Sequence, residues 1–71
     1  MDARLYTYRV FWSEEDREFV GLCTGFPGLS WLAEDQEVAF TGIVALVQDC
    51  IDDLMSNGEP IPTPLLKKQR F

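Results

Sequence analysis

Two groups of carboxylates carry most of the chemistry open to this 71-residue chain. Glu14, Glu15 and Asp16 stand together, with Glu18 close behind, and Asp49, Asp52 and Asp53 form a second group. Carboxylates of this kind can do two things. If two or more converge from rigid elements, they can hold a divalent cation for hydrolytic chemistry. If they stay dispersed on a surface, they set up a negative field that suits a basic partner. Acids crowded into one turn do not supply the convergence that a metal site needs. The remaining inventory is narrow. The chain has no histidine, which removes imidazole acid–base catalysis and the commonest metal ligand. Its two cysteines, Cys23 and Cys50, have no CxxC spacing, and no serine or cysteine lies in a nucleophile motif. There is no glycine-rich phosphate loop. No catalytic residue, metal or cofactor is therefore expected. Cys23 and Cys50 are expected to be reduced core residues.

The charge is uneven as well as acidic. Overall it is −6, but residues 1–64 hold all twelve acids against Arg4, Arg9 and Arg17, a local −9. Residues 65–71 hold Lys67, Lys68 and Arg70, a tail of +3. Such a body repels phosphates and is a poor nucleic-acid binder. With no apolar run near 18 residues and no leader-like segment, a cytoplasmic protein with no membrane contact is expected.

The elements that must position these groups follow from periodicity. Asp35–Asn57 is the one segment long enough for a substantial helix, roughly 30 Å. Ala39, Phe40, Ile43, Val44, Leu46, Val47, Cys50, Ile51, Leu54 and Met55 fall in one wide apolar arc. Thr41, Gly42, Ala45, Gln48 and the three aspartates fill the other. The carboxylate of Asp35 suits an N-cap, and Asn57-Gly58 suits a stop. Upstream, Leu5–Trp12 and Glu18–Thr24 read as two strands of a hairpin around the charged turn Ser13–Arg17, and Leu29–Ala33 as a third strand. Downstream, Pro60, Pro62 and Pro64 restrict Glu59–Leu66 to an edge strand or an extended strap. The fold class is thus α+β: a three-stranded antiparallel sheet with one long helix on one face, with a short fourth edge strand as an option. One helix covers only one face of such a sheet. Some of Leu5, Phe11, Val20, Leu22 and Leu32, or the residues that alternate with them, would be left on the other, and 46% hydrophobic content points to self-association.

Each candidate site has a plain reading beside the functional one. Glu14, Glu15, Asp16 and Glu18 are a solvated turn or a partner contact, and the solvated turn is the simpler account. Asp49, Asp52 and Asp53 occupy the last two helical turns, where the macrodipole disfavours acids, and Asp49 and Asp53 repel each other at i,i+4. The helix holds no Lys or Arg to offset them. A basic partner would do so, and so would the basic tail folding back. Phe26 in the Phe26-Pro27-Gly28 turn and Trp31 could be aromatic anchors for a partner, with a packing role favoured for both.

Taken together, these pieces resemble a known family. The acidic turn at Asp16, the strand at Phe19-Val20, Phe26-Pro27-Gly28, the acidic cap Glu34-Asp35, the helix start Ala39-Phe40, and Gly58 with Ile61-Pro62-Thr63-Pro64 are similar to the N-terminal domain of HicB antitoxins. The likeness spans about Leu5 to Pro64. It implies a partial ribonuclease-H-like fold over residues 1–64, acting as the antitoxin of a type II toxin–antitoxin system. Such a domain neutralises a small basic HicA-type toxin that cleaves messenger RNA. It also implies a homo-dimer or tetramer. DNA would be bound only through a further C-terminal domain, whose start residues 65–71 would represent. The chain departs from the family pattern at Arg17, where a glycine is common, at Gly25, where an acid is common, and at Val38, where a glutamate is common. A metal-dependent ribonuclease-H-like nuclease and a stand-alone oligomerising scaffold are the alternatives.

Overall fold

A computed structural model describes residues 2–62. A single 3-10 turn, Ala3–Leu5, precedes strands β1 (Tyr8–Ser13), β2 (Glu18–Cys23) and β3 (Ser30–Ala33), and then one helix, α1 (Gln36–Ser56). The strands form one antiparallel sheet in the order β1-β2-β3. The helix lies across one face of it. The expected α+β architecture is therefore the observed one.

The first strand is shorter than its composition suggests. Asp2 caps the 3-10 turn by accepting from the Arg4 amide at 2.8 Å, and Leu5 N–H donates to the Asp2 carbonyl at 3.0 Å. These local bonds hold Leu5 out of the ladder, so β1 begins at Tyr8 and runs through Ser13 rather than from Leu5 to Trp12. Leu29 likewise belongs to the turn, where its N–H donates to the Phe26 carbonyl, and β3 begins at Ser30. The hairpin turn places Arg17 at φ 57°, the left-handed region that glycine occupies without strain. Arg17 therefore carries a conformational cost.

Register assigns the two faces of the sheet. Tyr8 pairs with Cys23, Val10 with Gly21 and Trp12 with Phe19, and across the next ladder Gly21 pairs with Trp31 and Phe19 with Ala33. These residues face the helix. Arg9, Phe11, Glu18, Val20, Leu22 and Leu32 alternate with them on the open face.

The core lies between the helix and the first face. Ala39, Ile43, Val47 and Ile51, one residue per turn, are completely buried. Ile43, Val47 and Ile51 pack with Ala3, Tyr6, Cys23 and Phe26. Gly21 is where the helix comes closest, since a Cβ there would stand 2.7 Å from the Ala39 carbonyl oxygen and 2.9 Å from an Ile43 methyl. Gly25 serves the same purpose beneath Tyr6, whose ring would lie 2.7 Å from an added Cβ. That contact gives a steric reason for glycine at this position.

The helix ends differ in detail from the sequence reading. Asp35 has the extended backbone of an N-cap and its carbonyl accepts from Ala39 N–H, but its carboxylate makes no capping bond. At the other end Asn57 and Gly58 close the helix, with Gly58 at φ +69°. Phe40 and Met55, counted in the apolar arc, are exposed, because a three-stranded sheet is too narrow to cover so wide an arc. Ile61 packs on the core, and the Tyr6 hydroxyl donates to the Pro62 carbonyl, so residues 59–62 run as a strap, while residues 63–66 of the expected segment lie outside the described residues. The basic tail, residues 65–71, lies outside the described residues.

Candidate functional site

The hairpin and the helix cap meet at one end of the molecule. Ser13 pairs with Glu18, and Phe19 pairs with Ala33, so Glu34 leaves β3 level with Glu18. Glu14, Glu15 and Asp16 at the hairpin tip therefore share a pole with Glu34, Asp35 and Glu37. The hydroxyl of Ser13 donates to Asp16 and accepts from its amide, which shapes the turn. Glu34, Asp35 and Glu37 were not among the expected site residues. The signal available for them was the short β3, which necessarily returns the chain to the hairpin tip.

Asp49, Asp52 and Asp53 lie toward the opposite end of the helix, all exposed. At ~100° per residue they fall within about 100° of arc, with Asp52 on the side nearer Gln48. Gln48 Nε2 donates to Asp52 at 3.1 Å, while Gln48 Oε1 accepts from the Ala3 amide at 2.9 Å, tying the N-terminal turn to the helix. Asp49 and Asp53 have no hydrogen-bonding or ionic side-chain partner among the described residues.

The aromatic candidates also separate. Phe26 is 8% exposed, with its ring tilted against Tyr6 at 5.3 Å, and is a core residue withdrawn from any contact surface. Trp31 remains 41% exposed. It reaches from edge strand β3 over the helix, where its indole nitrogen would stand 2.1 Å from a Cβ on Gly42. Gly42, assigned from sequence to the polar arc, is the seat of that ring. The same helical stripe carries Asp35, Val38, Asp49 and Asp53, all exposed. The result is one flank with Trp31 and Val38 toward the helix start and Asp49 and Asp53 roughly 10 and 16 Å further along the axis from Gly42. This surface joins three of the residues singled out from sequence and adds Val38, Gly42 and Asp35.

Two further surfaces complete the description. A groove of about 640 Å³ runs between the N-terminal turn and the other helix flank, lined by Tyr6, Tyr8, Phe40, Val44 and Gln48 among others. At its mouth Arg4 and Asp2 form an ion pair at 2.7 Å. The side-chain hydrogen bond from Arg4, aided by the Arg4 amide, holds the Asp2 carboxyl down to about 2. Burial pushes the Tyr8 phenol up to about 12 and raises that of Tyr6 as well. The Tyr8 hydroxyl donates to the Ala3 carbonyl at 2.6 Å. These tyrosines are structural donors. The second surface is the open sheet face, where Phe11, Val20 and Leu32 stand side by side across the three strands.

Among the described residues no three carboxylate or thiol groups lie close enough to hold a metal ion. Cys23 is a buried free thiol and Cys50 a half-buried one. No helix among the described residues is long and apolar enough to cross a membrane. Comparison with family models, with curated proteins and with solved structures returned no match.

Proposed function

We propose that this chain is a protein-binding module for a small basic partner. In the specific reading that the sequence resemblance supports, it is an antitoxin that occludes a HicA-type messenger-RNA-cleaving toxin. The observation that carries the proposal is the half-exposed indole of Trp31, seated on Gly42, on a helix flank that also carries the exposed carboxylates of Asp35, Asp49 and Asp53. A large amphipathic ring flanked by charged groups is the arrangement through which a few residues supply most of a binding energy. An RNA-cleaving partner has to present positive charge to phosphates, and an acidic flank is the complementary field. The carboxylates of Asp49 and Asp53, without a partner among the described residues, cost the helix stability where they stand. A cationic partner converts that cost into affinity. The role is binding and not catalysis, since the acidic groups occupy separate surfaces and do not converge. The −9 of residues 1–64 also opposes DNA binding by this part of the chain.

The test is a binding and inhibition assay with a HicA-type ribonuclease. Trp31→Ala should weaken binding by roughly thirtyfold or more, mainly through faster dissociation. Asp49→Lys with Asp53→Lys should slow association and flatten its dependence on salt. Glu14→Lys, Glu15→Lys and Asp16→Lys should leave both nearly unchanged. Failure of the wild-type chain to bind would remove the antitoxin reading. Wild-type affinity and kinetics in both stripe variants would remove this surface.

A further inference from the structure

The outer edge of β1 offers a row of backbone groups that the sheet does not use. In the order β1-β2-β3, β1 has a neighbour on one side only among the described residues. Thr24 N–H donates to the Thr7 carbonyl at 2.9 Å, and this sets the alternation of the ladder. Arg9, Phe11 and Ser13 bond across to Leu22, Val20 and Glu18, so the amides and carbonyls of Tyr8, Val10 and Trp12 point away from β2. None of these groups has a backbone partner among the described residues. The usual protection of such an edge is missing. Tyr8–Ser13 holds no proline, pairs without a bulge, and keeps its one charged side chain, Arg9, on the open face. The other edge strand, β3, is only four residues long.

The helix side of this edge carries two recesses that meet at Phe40. The helix packs chiefly on β2 and β3. Beside β1 it leaves Tyr8 and Val10 half-buried, and Trp12 and Phe40 each 46% exposed. The first recess is the groove beside Tyr8, lined by Phe40, Val44 and Ala45. The second, about 510 Å³, lies beside Val10 and is lined by Phe40, Gln36, Asp35 and Glu37. Tyr8 and Val10 are about 7 Å apart along the strand, which is also the spacing of alternate residues on any strand added beside them.

We propose that this edge takes up an extended segment of a partner protein, antiparallel to β1, with a Lys or Arg beside Val10 and a large apolar side chain two residues later beside Tyr8. A polypeptide in extended form supplies donors and acceptors in the order that Tyr8, Val10 and Trp12 require, and antiparallel pairing gives each of them a two-bond partner. Alternate side chains of the added strand then stand on the helix side, over the two recesses. The recess linings set their chemistry. The one beside Val10 holds two carboxylates and no cation, so it selects a basic side chain. The one beside Tyr8 is apolar, and the Arg4 at its mouth is already paired with Asp2. A second copy of β1 does not meet this requirement, because its own helix-side residues, Tyr8, Val10 and Trp12, include no cation. The surface lies at the opposite edge of the sheet from Trp31 and is independent of that reading.

The probe is a blocked seven-residue peptide alternating threonine with leucine, lysine and leucine, added to the isotopically labelled full chain. Amide exchange should slow at Tyr8, Val10 and Trp12 and stay unchanged at Arg9 and Phe11, which already bond to β2. Methylating the peptide's leucine and lysine amides should abolish binding, and methylating its threonine amides should not. A glutamate in place of the central lysine should weaken binding roughly tenfold, and Glu37→Lys should reverse that preference. Val10→Pro removes an N–H that the β1–β2 ladder does not use, so it should keep the wild-type circular dichroism and lose the peptide. No binding at millimolar peptide overturns the proposal. So does binding that survives methylation of the leucine and lysine amides, or that ignores the charge of the central residue. A chain that dimerises by sedimentation and reverts to monomer in Val10→Pro would assign the edge to a second copy, which also overturns it. No toxin enters these measurements, so the two proposals fail separately.

Discussion

The indole of Trp31 occupies the space that a side chain on Gly42 would need. A Cβ at that position would lie 2.1 Å from Nε1 and 2.2 Å from Cδ1 of the ring. The pair couples an edge strand to the outer flank of the helix, and it holds a large ring half out of the protein. Because the ring belongs to a rotatable side chain, the conflict that Gly42→Ala creates is relieved by turning Trp31 away. Helix propensity gains about 1 kcal/mol from the same change. Unfolding stability should therefore change by less than about 1 kcal/mol, while Trp31 emission shifts to the red in a Trp12→Phe background. Partner binding should fall nearly as far as in Trp31→Ala. A substitution that spares the fold and removes binding would tie function to the seat of the ring.

Arg17 offers the opposite case, a residue under strain for which the remedy is glycine. Its φ of 57° costs an L-residue roughly 1 kcal/mol. Part of the gain from Arg17→Gly is returned through a freer unfolded chain and through the loss of the one cation among Glu14, Glu15, Asp16 and Glu18. A net stabilisation of about 0.5 kcal/mol is expected in urea unfolding. A loss of stability would mean that Arg17 is more useful to its acidic neighbours than its backbone costs.

Asp53 should set stability against binding. It stands in the last turn of α1, near the negative end of the helix dipole, and four residues from the like charge of Asp49. Asp53→Lys removes both penalties and should raise stability by about 0.5 kcal/mol. The same change should slow association with the basic partner. Thermal unfolding and stopped-flow kinetics on one variant would show both signs.

Tyr8 makes the fold sensitive to alkali. Its hydroxyl donates to the Ala3 carbonyl, and burial holds its phenol up to about 12, against about 10 for a free tyrosine. A group raised in this way contributes its full stability below the unfolded value and loses it as pH rises through the folded one. Stability should thus decline between about pH 10 and pH 12, followed by urea unfolding at stepped pH. Tyr8→Phe should cost about 1 kcal/mol at neutral pH and make the alkaline decline shallower. Tyr6, shifted in the same direction by burial, keeps part of it.

The order of three strands and a helix, the buried line Ala39, Ile43, Val47 and Ile51, and the closing turn at Gly58 were all legible in the sequence. Each is written in the spacing of neighbouring residues: period two, period 3.6, and a residue suited to positive φ. The elements that tertiary structure decided involve partners far apart in the chain. Sheet register brought Glu34, Asp35 and Glu37 to the hairpin tip and divided Phe11, Val20 and Leu32 from the helix side. The line along which the helix crosses the sheet chose Gly21 as the point of closest approach. It left Phe40 and Met55 exposed and laid Trp31 across Gly42 instead of a neighbouring turn. Periodicity says which side of an element is apolar. It carries no information on which remote residue will meet that side, because the meeting depends on crossing angle and register, and both are settled only when the whole core packs.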